Sequence, residues 1–247
     1  MARRRFFVNE VRGGRAEIRG ESAHHLTRVL RVEVGQKYEI SDNRRVWLAE
    51  IEVARKNAVE FAVLEELQAG EAPAETTLYL ALIKFDRFEW AVEKATELGV
   101  TRVVPVQAQR SERGLEDGAR KRVDRWRRIA HEASEQSRRL RAPAIDDPVR
   151  LSEVFEDAAK HRIWLDERPG ASPLARAVAL GSGEPVSIAV GPEGGWSDGE
   201  REQFRGGGWT AASLGSAILR AETAVCAALA VTLQMRFAGT IKVSDSG

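Results

Sequence analysis

The chain has 247 residues, 43% of them hydrophobic and 30% charged, enough to bury a core in one or two domains. A formal net charge of +1 excludes a protein that holds nucleic acid by bulk positive charge. The one cysteine, Cys226, excludes an internal disulfide and a thiolate metal centre and reads as a buried small side chain, so no metal is expected.

The start, MARRRFFVNE, is basic but lacks the apolar run of a secretory signal. No segment approaches the ~18 uninterrupted apolar residues of a spanning helix, so the expectation is a cytoplasmic protein without a membrane. Charge is nevertheless uneven. Residues 1–31 carry eight arginines against three glutamates, and residues 120–141 carry nine Lys or Arg against three acids. Such blocks suit a phosphate backbone, and equally a solvated charged face.

Residues 1–70 read as β-rich. Ser22 is the expected N-cap of a short helix over Ala23 to Leu30. Trp47, Ala49, Ile51 and Val53 alternate with Leu48, Glu50 and Glu52. After the turn Lys56-Asn57, Val59, Phe61 and Val63 alternate again, which predicts a hairpin in a small sheet or barrel. The Pro- and Gly-bearing stretch Gln68 to Ala74 is the natural linker to a second domain over residues 74–240.

There the rhythm changes to strand, helix, strand. Leu78 to Ile83 is an apolar strand. Asp86 with Glu89 has the spacing of a capping box, opening a helix that buries Phe88, Ala91, Val92, Ala95 and Leu98 and ends at Gly99. Val100 to Val106 is the next strand, so the sheet is parallel. A basic helix is predicted from Arg120 to Leu140, with Trp126, Ile129, Ala130, Ala133 and Leu140 as its apolar stripe. Ile163 to Leu165, Val186 to Val190 and Ala211 to Leu214 are further strands. Ser197 with Glu200 is a second capping box. The helix from Ala221 to Phe237 is apolar nearly all round, which predicts burial in the core or in a subunit interface.

In an open parallel sheet, ligands bind beyond the carboxyl ends of the strands. Three loops leave such ends, at Asp166 to Gly170, Gly191 to Gly195 and Gly215 to Arg220. Gly191, Gly194 and Gly195 are expected to allow positive φ and close backbone approach. No phosphate-cradling glycine motif is present, and Glu193 inside the turn repels a polyphosphate. A neutral or cationic ligand suits it better, and S-adenosylmethionine, a sulfonium without phosphate, meets that constraint. On these residues alone, a plain tight turn before a capped helix fits as well.

Four segments in order, KFDRFEWAVEKATELGVTRVVP, EASEQSRR, VGPEGGWSDGE and LGSAILRAETA, make the chain similar to the RsmE family, 16S ribosomal RNA uracil-N3 methyltransferases of the SPOUT superfamily. The resemblance spans nearly the whole chain, including HHLTRVLRVEVGQ of a PUA-like domain. It implies an α/β fold: a trefoil-knotted parallel sheet with helices on both faces, behind a small PUA-like β-barrel. It also implies a homodimer formed through the knotted domain, S-adenosylmethionine as cofactor, and 16S rRNA of the small ribosomal subunit as partner.

With that resemblance, Leu165, Gly191, Glu193, Gly194, Gly195, Leu214, Gly215 and Leu219 are the expected cofactor contacts. Uracil N3 is a poor nucleophile while protonated, so a base or a fixed cation is needed. Arg220 and Arg138 are the candidate cations, the latter from either subunit, with Glu193 or Glu222 to orient an arginine or accept a proton. Arg3, Arg4, Arg5, Arg31, Lys84, Arg87 and Arg127 are the candidate RNA contacts. Ion pairing of Lys84 and Arg87 with Asp86 or Glu89 is an equal reading. His24 and His25 are adjacent and diverge, so they read as ordinary surface or partly buried residues. Ribose 2′-O methylation and a non-catalytic ribosome-assembly role are the alternatives.

Overall fold

The computed structural model describes residues 4–68, 74–178 and 184–240, without the side chains of 237–240. Arg3 and most of the expected linker, residues 69–73, lie outside the described residues. The chain forms two compact units, residues 1–72 with 132–142, and residues 73–131 with 143–247.

The first unit holds β1 (Arg5–Phe7), β2 (Arg15–Arg19), α1 (Gly20–Arg28), β3 (Lys37–Ser41), β4 (Val46–Arg55) and β5 (Ala58–Leu67). The sheet order is β1-β3-β4-β5-β2, with β1 parallel to β3 and the other pairs antiparallel. The β4–β5 hairpin turns at Lys56-Asn57, as the alternation predicts. Register shifts at Leu48/Ala49 and Ile51/Val53 are bulges that curl the sheet around Phe6, Ile40, Ile51, Val59 and Phe61, all at most 1% exposed. Among the described residues β1 and β2 are the edge strands, β2 bridging beyond the sheet only from Arg15 to Arg12, so the unit is a curled sheet where a barrel is expected.

Helix α1 starts earlier than expected. Gly20, at φ 67°, turns the chain directly out of β2 and donates its N–H to Asn57 O, so Arg19 and not Ser22 holds the cap position. His24 and His25 are partly buried, and no metal-binding cluster occurs among the described residues.

Burial pushes the Glu135 carboxyl up to about 7, against the lowering effects of Arg4 and a hydrogen bond from the Phe7 backbone, with Glu132 adding a further rise. A folded-state value above the unfolded one means that the group's stabilising contribution is complete below about 4.5 and is lost as pH rises through about 7. Glu135→Gln is therefore expected to raise Tm by roughly a few degrees at pH 8.5 and to leave it nearly unchanged at pH 4.5. Thermal melts at the two pH values check this, and an equal shift at both contradicts it.

The second unit contains β6 (Thr76–Ala81), α2 (Phe85–Glu97), β7 (Arg102–Gln107), α3 (Leu115–Arg120), α4 (Val123–Gln136), β8 (Ala144–Ile145), β9 (Val149–Arg150) and α5 (Leu151–Val154). The last residues of α4 group with the first unit. Then follow β10 (His161–Leu165), β11 (Ser172–Pro173), α6 (Leu174–Ala177), β12 (Val186–Val190), α7 (Asp198–Gly206), β13 (Thr210–Ser213) and α8 (Ala221–Thr240). The strands lie in the order β11-β13-β10-β12-β6-β7-β8, β9 also pairs with β7, and every pair is parallel.

Both faces are covered. Leu78 and Leu80 of β6 join Phe88, Trp126, Ile188 and Val225 on one side, while Tyr79 and Ala81 join Trp164, Ala189, Trp196 and Phe204 on the other.

Two further helix expectations change. Glu89 does not cap α2: it accepts hydrogen bonds from Arg122 (3.2 Å) and Arg125 (2.7 Å), and the cap position, Lys84, makes no side-chain cap bond. The predicted basic helix is two, α3 and α4. It stops at Gln136 because Arg138 adopts a left-handed φ of 57° and Arg139 N–H closes on Ser134 O (3.0 Å). Leu140 and Arg138 thus lie beyond the helix, while Trp126, Ala130 and Ala133 are buried as expected. Helix α8 buries one face, through Val225, Ala228 and Leu229, and leaves Cys226 half-buried and Leu233 exposed. The capping box at α7 forms as predicted, Glu200 N–H to Ser197 Oγ (3.3 Å) and Ser197 N–H to Glu200 Oε2 (2.7 Å).

Candidate cofactor cleft and active site

The carboxyl ends of β10, β12 and β13 lie side by side, so the three loops that follow them converge. They enclose an open cleft with about 830 Å³ of empty space, counting the part open to solvent. All eight residues expected to hold the cofactor, Leu165, Gly191, Glu193, Gly194, Gly195, Leu214, Gly215 and Leu219, line it.

The three glycines of the turn do different jobs. Only Gly195 has a positive φ, 63°, and a Cβ there would fall 2.6 Å from Glu167 Oε1. At Gly191 a Cβ would stand 3.1 Å from the Trp196 ring, and at Gly194 3.2 Å from Arg110 Cβ. These two are needed for close approach and not for positive φ, which corrects the expectation. Gly195→Ala is expected to weaken S-adenosylmethionine binding by about tenfold, because left-handed backbone costs an L residue about 1–2 kcal/mol and Glu167 must move. Calorimetry decides it, with Gly199→Ala in α7, where no atom lies within 4 Å of the added Cβ, as the neutral control.

A buried network holds the turn in place. Trp196 Nε1 donates to Leu165 O (3.1 Å), tying the turn to the end of β10. Arg110 donates to Gly194 O (2.9 Å). Arg201, 1% exposed, donates to Asp166 Oδ1 (3.0 Å), to Glu167 Oε1 (2.8 Å) and to Trp196 O. Glu200 Oε1 accepts the Gln109 backbone N–H (2.7 Å). Sequence reasoning placed Asp166 and Glu167 in a cleft loop without a role of their own, and missed Trp196 and Arg201. The available signal was the helical spacing of Glu200, Arg201 and Phe204, which puts two charged residues on the buried face of α7.

Among the described residues the cleft wall carries three carboxylates, Asp166, Glu167 and Glu193, each paired with an arginine outside the wall, and no Lys, Arg or His. Apolar faces come from Leu165, Val190, Leu214, Leu219 and Ile218, the last 87% exposed on the rim. Such a wall, with no side-chain cation to hold a phosphate, fits a phosphate-free molecule with a flat apolar part, and a sulfonium nucleoside has that chemistry.

The candidate catalytic groups divide. Arg220 is exposed and forms no ion pair or side-chain hydrogen bond among the described residues. Glu193 pairs with Arg87 (3.1 Å), and Glu222 stands 3.9 Å from the same arginine. Arg87 thus faces these two acids and not Asp86 or Glu89, and Lys84 is exposed. Arg138 belongs to the first unit and is held by Glu39, a 7%-exposed carboxylate that also takes Arg5 (2.8 Å). Arg127 pairs with Asp124 (3.0 Å) and Asp147 (3.6 Å). Arg31 is exposed at φ 52°, and Arg4 is partly buried.

The parallel sheet and its glycine-walled, cation-free cleft define an α/β protein that binds a phosphate-free small molecule at the carboxyl edge of its strands. Residues 70–233 match the family described as RNA methyltransferase domain, and residues 18–64 match the RNA methyltransferase PUA domain. The chain belongs to the RNA methyltransferase family, and the resemblance expected from the four motifs is borne out.

Among its relatives, the ribosomal RNA small subunit methyltransferase E of Aquifex aeolicus is 30% identical over 92% of this chain and 98% of its own length. That of Bacillus subtilis is 32% identical over 86% of this chain and 87% of its own. The Neisseria gonorrhoeae ribosomal RNA small subunit methyltransferase E, solved bound to S-adenosylmethionine, superposes with a TM-score of 0.83 at 28% identity, covering 95% of this chain and 98% of that one. No described helix is long and apolar enough to cross a membrane.

Proposed function

We propose that the chain transfers the methyl group of S-adenosylmethionine to N3 of a uridine in 16S rRNA of the small ribosomal subunit. The observation that carries this reading is the glycine-walled cleft at the carboxyl ends of β10, β12 and β13, whose lining among the described residues holds no Lys, Arg or His. The relatives named as small-subunit rRNA methyltransferases and the neighbour solved with S-adenosylmethionine support it.

Leu165, Leu214 and Leu219 are the proposed walls for the adenine, and Gly191, Gly194, Gly195 and Gly215 let the main chain approach. Bound there, the cofactor supplies an electrophilic methyl group on a sulfonium. Glu222 accepts the N3 proton while the N3 electron pair forms the new bond to carbon, and the C–S pair stays on sulfur as a neutral thioether. Arg220 stabilises the charge that develops on the uracil carbonyl oxygens. Glu193 positions Arg87 through their ion pair. Arg138 is the lesser catalytic candidate, since Glu39 already occupies its guanidinium.

Arg3, Arg4, Arg5, Arg31, Lys84, Arg87 and Arg127 are the proposed RNA contacts, all but Arg87 positioning the backbone and not reading its sequence. The half-exposed apolar face of α8, with Ala227, Ala230 and Leu233, supports a homodimer. A trefoil knot is part of the same reading: α8 leaves β13 near one edge of the sheet yet packs against α2, which follows the interior strand β6. Nucleoside mass spectrometry of rRNA from cells with and without the protein tests the target. N3-methyluridine lost with the protein supports the proposal, and loss of a 2′-O-methyl nucleoside instead contradicts it.

A further inference from the structure

Next to the cofactor cleft, where α2 packs against α8, lies a second cavity with about 690 Å³ of empty space including its open mouth. Asp86, Arg87, Trp90, Arg220, Glu222 and Thr223 line it. The chain alternates between the two spaces at the start of α8. Leu219 and Ala221 wall the cleft, and Arg220 and Glu222 wall the cavity. Arg87 joins the two by pairing with Glu193 of the cleft wall and standing beside Glu222.

Three features of this cavity are unexplained by the fold. Glu222 Oε2 is buried and has no hydrogen-bond partner among the described residues, a costly condition unless a donor arrives. Arg220 is an exposed cation without a partner among the described residues. Trp90 is 45% exposed, while Trp47, Trp126, Trp164, Trp196 and Trp209 are at most 7% exposed.

A uracil offers one N–H donor, at N3, between two carbonyl acceptors, and a π face. Arg87, Glu222 and Arg220 offer one acceptor carboxylate and two donor guanidiniums in the same cavity, and Trp90 offers a flat surface. Cytosine, with an acceptor at N3 and an amino donor at C4, confronts the carboxylate and an arginine with the wrong partners. We propose that this cavity receives the target base: Trp90 stacks on the uracil, Glu222 accepts N3–H, and Arg87 and Arg220 donate to its carbonyls. The inference rests on the reading of uracil N3 as the methyl acceptor, and it makes Trp90 and Arg87 determinants of base choice.

Two arms test it on the full chain. In methylation of small ribosomal subunits, Trp90→Ala is expected to raise KM for the subunit about tenfold with cofactor affinity unchanged by calorimetry, and Trp90→Phe to restore most of it. In the second arm, uridine monophosphate is expected to shield the exposed indole from acrylamide quenching in the wild-type protein, and cytidine monophosphate is not. An unchanged KM in Trp90→Ala, equal shielding by both nucleotides, or an indole already shielded without nucleotide overturns the proposal. Methylation at an atom other than uracil N3 removes the functional reading. The quenching arm then decides the cavity alone, selective shielding by uridine monophosphate upholding it and absent or equal shielding overturning it.

Discussion

Arg220→Ala is expected to lower kcat for RNA methylation by about 10²–10⁴-fold and to leave S-adenosylmethionine affinity within about twofold. Its neighbour Leu219 walls the cofactor cleft, whereas Arg220 itself lines the adjoining cavity and has no protein partner among the described residues. In the proposed mechanism a permanent cation so placed acts where negative charge develops as N3 loses its proton, and contributes little to holding the donor. Arg138→Ala is expected to cost far less in kcat, because that guanidinium already neutralises Glu39. Single-turnover methylation and calorimetry on the two variants check the ranking. Near-normal turnover by Arg220→Ala contradicts the assignment.

The second large effect is on stability. Asp166→Ala strips Arg201, whose side chain is 1% exposed, of the carboxylate that binds both its Nε (3.1 Å) and its Nη2 (3.0 Å). Glu167 Oε1 (2.8 Å) and Trp196 O still hold the guanidinium, so the cost is that of lost charge-assisted hydrogen bonds, about 1.5–3 kcal/mol. For a chain of this size that lowers Tm by roughly 3–12 °C. Pairing the change with Arg201→Met is expected to recover much of the loss, since the buried cation goes too. Cofactor binding does not recover, because Asp166 is itself part of the cleft wall. A double variant that regains both stability and binding contradicts the wall assignment, and thermal melts with calorimetry read the two effects separately.

Patterns with a period were legible in the sequence. The strands β6, β10 and β12, the hairpin β4–β5, the buried face of α2 and the capping box Ser197–Glu200 follow from hydrophobic spacing and local side-chain bonds. The three loops of the cleft were legible because a parallel sheet presents its ligands at one edge. What escaped was decided by partners distant in sequence. Glu89 has the right spacing to cap α2, yet two arginines of α3–α4 and their connection draw it away. The end of α4 depends on Arg138 adopting a left-handed backbone, which no arginine announces. Arg201 and Asp166 are 35 residues apart, and neither charge advertises the burial that makes the pair matter. The four motifs pointed to the family, but the role proposed for Trp90 needed the cavity, since its neighbours at helical spacing, Asp86, Arg87, Glu93 and Lys94, place it on the charged face of α2.

The central claim is that this cleft holds S-adenosylmethionine for methylation of a uracil N3 in small-subunit rRNA. The most direct test incubates purified protein with small ribosomal subunits from cells lacking it and with methyl-labelled S-adenosylmethionine, then identifies and maps the labelled nucleoside. Label is expected in N3-methyluridine at one position of 16S rRNA, dependent on Arg220. Label in a ribose 2′-O-methyl group, or S-adenosylmethionine bound with no label transferred to RNA, contradicts it.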